Sequence, residues 1–91
     1  MSKKLSKKRI EFIIQNNKGC VFNGELNEYQ IGEALQKFAI KYGWNGTYTT
    51  AASEEYTDNV YNAFDWLNDN ALPGEYIFVL GNNLKVERVN Y

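Results

Sequence analysis

Four carboxylates, Glu54, Asp58, Asp65 and Asp69, recur along one stretch of the chain, and paired carboxylates are among the few routes to acid–base chemistry without histidine. Histidine is absent, and Cys20 is the single cysteine. No Ser-His-Asp triad, Cys-His dyad, His-bearing zinc site or internal disulfide can be assembled from such a chain. The carboxylates themselves lie four residues apart, or multiples near it, on what reads as an exposed helix. Both members of each pair then sit in water, with no cleft to set one apart as acid and the other as base. Gly43-Trp44-Asn45-Gly46 has neither the Walker spacing with its lysine nor the glycine pattern of a dinucleotide fold. Cys20, with apolar neighbours, reads as a small buried hydrophobe rather than a nucleophile. The expectation is a protein that is not an enzyme and uses no metal or cofactor.

The same acids can serve as a surface. Trp44, Tyr48, Tyr61, Trp66 and Tyr91 are not all accommodated by the apolar helix stripes described below, and Trp and Tyr are the residue types that anchor interfaces. Tyr61 and Trp66 flank the acidic line, and an aromatic within an acidic surface suits a basic partner. Glu54, Asp58, Tyr61, Asp65, Trp66 and Asp69 are therefore the expected partner-binding residues. Mimicry of nucleic acid by these acids is sparse. A duplex carries roughly one charge per 1.7 Å, so four carboxylates imitate it only if Glu25, Glu28 and Glu75 fold onto the same surface.

A second cluster has the opposite sign. The net charge of −1 conceals an asymmetry, because residues 1–18 carry Lys3, Lys4, Lys7, Lys8, Arg9 and Lys18 against Glu11, while the acids dominate from residue 19 onward. Residues 1–9 read as a basic flexible arm and 10–91 as a single domain; Lys3, Lys4, Lys7, Lys8 and Arg9 are the alternative site, for nucleic acid.

These groups need a scaffold. A chain of 91 residues, 44% hydrophobic and 15% aromatic, supports one globular core. Ile10, Phe12 and Ile14 alternate with their neighbours, and Asn16-Asn17-Lys18-Gly19 would turn the chain into Cys20-Val21-Phe22, which reads as a hairpin. Ile10, Ile13 and Ile14 also fit i, i+3, i+4, with Ser6 as N-cap and Gly19 past the end, so a helix over 6–18 is the competing assignment. Asn27-Glu28-Tyr29-Gln30 is a capping-box variant that opens a helix with Ile31, Ala34, Leu35, Phe38 and Tyr42 on one face, ending at Gly43. Thr47 to Thr50 favour a short strand. Ser53 offers the N-cap of a second helix with Tyr56, Val60, Ala63, Phe64 and Leu67 as its buried stripe. After Pro73-Gly74, Glu75–Leu80 and Leu84–Val89 flank Gly81-Asn82-Asn83 as a hairpin. Tyr76–Leu80 is apolar on both faces, which predicts a central strand covered on each side, or on one side plus a partner. The fold class is α+β, two helices on an antiparallel sheet in the order ββαβαββ. Leu35, Phe38, Val60, Phe64, Leu67, Ile77 and Val79 are expected in its core.

No apolar run follows the lysines as in a signal peptide, and Tyr76–Leu80, the longest apolar run, cannot cross a bilayer. A cytoplasmic monomer or homodimer is expected. Asn, Lys, Ile, Tyr and Phe are abundant and share AT-rich codons, which points to a low-GC source such as a Gram-positive bacterium or one of its phages. In that setting the expected function is a protein–protein interaction module, an anti-CRISPR or anti-restriction type of inhibitor that binds the basic surface of a host nucleic-acid enzyme.

Overall fold

The computed structural model describes residues 4–22, 24 and 26–89; Lys3, Glu25 and Tyr91 lie outside them. The elements follow in the order α1 (Lys7–Asn17), α2 (Glu28–Tyr42), α3 (Tyr56–Asn70), β1 (Tyr76–Leu80) and β2 (Leu84–Arg88). The α+β class stands, with three helices in place of two and one two-stranded antiparallel sheet among the described residues.

The first hairpin is replaced by α1. Ser6 Oγ accepts the Arg9 N–H at 3.1 Å, and Lys18, left-handed at φ 53°, returns its N–H to the Ile13 carbonyl. Ile10 and Ile13 are buried while Phe12 is 56% exposed, so the i, i+3 period decides and the alternation does not. The helix begins inside the segment expected as an arm: Lys7, Lys8 and Arg9 form its first turn. Leu5, just before it, is buried and donates its N–H to Ala71. Of the strand expected at Cys20–Phe22, a single bridge from Cys20 to Lys85 remains, flanked by Val21 N–H to Leu84 O and Val86 N–H to Gly19 O.

The capping box of α2 forms in both directions. Asn27 Oδ1 accepts from Gln30 N–H at 2.8 Å, and Gln30 Oε1 from Asn27 N–H at 3.0 Å. Gly43 closes this helix at φ 117°. Thr47–Thr50 are not a strand; they run without regular structure, held by Gln36 of α2, because no neighbouring strand is there to pair with them. Ser53 does not cap a helix that starts at Glu54. Its Oγ accepts the Glu55 N–H in a preceding turn, and α3 begins at Tyr56.

The sheet pairs Phe78 with Val86 and Leu80 with Leu84, and one of its faces holds Tyr76, Phe78, Leu84 and Val86 against the helices. Leu35, Ala39, Val60, Ala63 and Leu67 complete the core, with Phe38 packed edge-to-face on Phe78 at 6.1 Å. Two expected core residues fall elsewhere, Ile77 and Val79, which are 44% and 40% exposed; Phe64, like Phe38, is partly buried and packed against the core. A two-stranded sheet has helices for one face only, so the second apolar face of β1 is left open.

Glu11 ties α1 to the hairpin. Its carboxylate accepts from Arg88 Nε at 3.0 Å, from Arg88 Nη2 and from the Tyr76 hydroxyl at 2.6 Å. The Arg88 and Tyr76 hydrogen bonds hold the Glu11 carboxyl down to about 2. A carboxyl lower in the folded than in the unfolded chain adds stability above the unfolded value near 4.5, and that stability is lost as pH falls toward 2. Wild type should therefore melt above Glu11→Gln at pH 7, and the two melting temperatures should converge between pH 4.5 and 2. A difference in melting temperature that stays constant over that range would show the ion pair to be idle.

Candidate functional site

The stripe that sets the orientation of α3 is Val60, Ala63 and Leu67, all buried. At 3.6 residues per turn, Asp58, Asp65 and Asp69 then fall on the far side, and all three are exposed. Glu54 is exposed too, in the turn before the helix. Tyr61 follows Asp58 by three residues and precedes Asp65 by four, the spacings at which helical side chains are neighbours. It is 57% exposed. The structure therefore brings Asp58, Tyr61 and Asp65 together, and Asp69 continues their row. Trp66 lies about 140° around the axis from Tyr61 and is partly buried, packed against the core. Its indole supports the domain first and the acidic face second.

Beside Tyr61 a groove of about 820 Å³ runs along α3 between the first turns of α2 and strand β1. Thr57, Tyr61, Phe64 and Asn68 form its α3 wall, Tyr29 its α2 wall, and Ile77 to Leu80 its β1 wall. Of the lining residues only Glu28 is charged. Tyr29, Tyr61, Ile77 and Val79 are four of the six large hydrophobic residues left exposed among those described, and all four border this groove. The sequence pointed to Tyr61 but not to the other three. Tyr29 sits in the capping turn, outside the stripe of α2. Ile77 and Val79 had a signal in the two-faced apolar run of β1, which leads to a covered strand only when a second layer exists.

The floor depends on a close approach of α2 and α3. A Cβ placed on Gly32 would stand 2.0 Å from the Tyr56 hydroxyl and 3.0 Å from Val60 Cγ2. The Tyr56 hydroxyl uses that space to donate to the Tyr29 carbonyl at 2.8 Å, and the two rings lie 6.4 Å apart. Burial, with Glu33 nearby, raises the Tyr56 phenol, and burial together with the Glu33 hydrogen bond raises Tyr48. Both therefore stay neutral donors at neutral pH.

The basic candidates are divided. Lys7 is paired with Glu75 at 2.8 Å, whose carboxylate raises the Lys7 ammonium. Lys4 and Lys8 are exposed, and the Arg9 guanidinium stands 5.8 Å from the Phe12 ring centroid. Among the described residues no group of three or more cysteine or carboxylate side chains could hold a metal ion, and no helix is long and apolar enough to cross a membrane. Comparison with family models, with curated proteins and with solved structures found no match to this chain, so the functional argument rests on the groove and the acidic row beside it.

Proposed function

We propose that this domain is a non-enzymatic interaction module that binds a basic protein surface through α3. One observation carries the reading: four of the six exposed large apolar side chains among the described residues border one groove, and the most exposed of them, Tyr61, stands between Asp58 and Asp65. Exposed apolar patches rimmed by polar groups mark interaction sites. Carboxylates around such a patch speed encounter with a cationic partner, while a desolvated tyrosine slows its release. Asp58 and Asp69 are separated by eleven residues, about 16 Å of helix, over which duplex DNA carries roughly nine phosphates. Three carboxylates over that length are a poor copy of nucleic acid, so apolar contact in the groove must supply much of the affinity. A basic surface of a host restriction or CRISPR enzyme is the partner class that this proposal, joined to the low-GC composition, puts first.

Asp58→Lys with Asp65→Lys tests it. The partner is isolated by affinity capture from nuclease-treated host lysate and its binding followed in real time. The double reversal should slow association about tenfold at low salt and flatten the salt dependence. Tyr61→Ala should instead speed dissociation about thirtyfold, as for an interface hot spot. All three positions are exposed, so Tyr61→Ala and Asp65→Lys should each change stability by less than about 0.5 kcal/mol, while Asp58→Lys, in the first turn of α3 where the helix dipole favours an acid, should cost up to about 1 kcal/mol. Unchanged association and salt slope in the double reversal would reduce the acidic row to a solvated helix face.

A second reading, nucleic-acid binding by the basic segment, draws on Lys4, Lys8, Arg9 and exposed Phe12, which could stack on a base. Removing residues 1–8 cannot test it, because Leu5 belongs to the core and Ser6 caps α1. Lys8→Glu with Arg9→Glu can: it should leave the captured protein partner bound, and would abolish retention of single-stranded DNA if that were the ligand.

A further inference from the structure

We infer that the groove receives an amphipathic basic helix of the partner protein, and not an added β-strand; the inference rests on the interaction reading above and names the form of the ligand. Strand addition needs a run of unpaired main-chain groups along a sheet edge. The edge of β1 away from β2 faces α3, and there Asn68 blocks it. Asn68 Oδ1 accepts the Phe78 N–H at 2.8 Å, and its Nδ2 donates to the Phe78 carbonyl at 3.4 Å. The side-chain amide thus takes the place of a neighbouring strand at the centre of β1. The next outward N–H, that of Tyr76, is held by the Pro73 carbonyl at 3.2 Å. An incoming strand would meet an edge already occupied at two successive outward positions.

The α3 wall is suited to a helix instead. Thr57, Tyr61, Phe64 and Asn68 stand at i, i+4, i+7 and i+11, a single ridge about 16 Å long. Ridges of this kind mesh with the grooves between side chains of a second helix, and about three turns of partner would cover it. Ile77 and Val79, two apart on the open face of β1, supply the opposite apolar wall.

Charge sets both the sign and the orientation. No lysine or arginine lines the groove, and Asp58 and Asp65 run along the outer side of the α3 ridge. Across the sheet, Lys85 pairs with Val79 and Glu87 with Ile77, so the β1 side offers one charge of each sign. The helix that fits carries leucine-like side chains at i, i+3, i+4 and i+7, with its lysines or arginines over α3.

The test uses the full chain, isotopically labelled, and three probes: a Leu/Lys peptide of ~18 residues with helical spacing, the same peptide with Glu for Lys, and an alternating Val/Lys peptide that forms strands. The helical Leu/Lys peptide should bind saturably and move the amide resonances of Tyr29, Tyr61, Ile77 and Val79. Tyr61→Ala should weaken it about tenfold, and the Glu peptide should bind at least about tenfold more weakly than the Lys peptide. Wild type should bind the Val/Lys peptide at least about tenfold more weakly than the helical Leu/Lys peptide, and Asn68→Ala, which frees the Phe78 N–H and carbonyl, should narrow that gap. Wild-type binding of the Val/Lys peptide as tight as that of the helical Leu/Lys peptide, or equal binding of the Glu and Lys helices, overturns the inference. So does a helical peptide whose affinity ignores Tyr61→Ala. None of these results touches the interaction reading itself, which the association kinetics of Asp58→Lys with Asp65→Lys decide separately.

Discussion

Phe78→Ala should cost about 3–5 kcal/mol, a large share of the total stability of a domain this size. Phe78 is 1% exposed, lies opposite Val86 in the sheet and packs edge-to-face on Phe38. Removing its ring leaves a cavity bounded by the hairpin on one side and α2 on the other, and neither can close over it without breaking the pairing of β1 with β2. Its main chain adds to this rigidity, since Asn68 grips both the N–H and the carbonyl of the same residue. Phe64→Ala is the informative comparison. Phe64 lines the groove and is only partly buried, so part of its ring has nothing to lose, and about 1–2 kcal/mol is expected. Urea denaturation of the two variants measures the difference. Equal losses would place Phe64 in a closed core and leave no groove for a partner to enter.

Local signals identified most of the helical scaffold. The Asn27/Gln30 capping box, the Gly43 terminus and the stripe of Ile31, Ala34, Leu35, Phe38 and Tyr42 define α2 within one continuous stretch of sequence, and each needs no tertiary partner to be recognised. The terminal hairpin was legible for the same reason, from its flanking apolar runs and the turn at Gly81-Asn82-Asn83. The segment that became α1 carried two periods at once. Ile10, Phe12 and Ile14 alternate, while Ile10 and Ile13 share a helical face, and only the positions of Leu72, Leu84 and Val86 in the assembled core determine which set is buried. The strand assigned to Thr47–Thr50 followed β-branching, a preference that expresses packing on a sheet and has no force where no sheet lies alongside.

The site was legible in part. Helical spacing alone was enough to put Asp58, Tyr61, Asp65 and Asp69 on one side of α3, because exposure around a helix follows from its buried stripe. Trp66 was not resolved by the same argument. Its position at the margin of the stripe fits either surface or core, and contact with the core settles it. The groove itself depends on three segments far apart in the chain: Tyr29 at the start of α2, Tyr61 in α3, and Ile77 with Val79 in β1. No periodicity within one segment contains that conjunction.

Gln36 is a polar residue that sequence periodicity gives no reason to bury, yet it is fully buried, and Gln36→Met should cost about 2–4 kcal/mol. Gln36 Oε1 accepts from Thr49 N–H at 2.7 Å, Thr49 Oγ1 at 3.0 Å and Asn59 Nδ2 at 3.0 Å; its Nε2 donates to the Thr49 carbonyl at 2.9 Å. One side chain on α2 thereby holds the main chain between α2 and α3 as a neighbouring strand would. Methionine keeps the length and approximate volume and removes every one of these bonds. Asn59 retains the Thr47 carbonyl and Thr49 Oγ1 as partners, so its amide is not stranded. The Thr49 N–H and carbonyl lose theirs, at about 1–3 kcal/mol for each polar group left without water or protein. The connecting segment has a way to limit that loss, by lifting Thr49 into solvent, which sets the lower end of the range. Such a release has its own signature: the Thr49 amide should exchange with solvent much faster in Gln36→Met, while the amides of β1 and β2 slow or quicken only with global stability. Ala51 and Ser53, which line the groove, follow Thr49 closely in the chain, so the same substitution should also weaken the helical Leu/Lys peptide. A variant with native stability and a protected Thr49 amide would mean that the polar cluster around Gln36 is dispensable and that packing of α2 on α3 alone holds the segment in place.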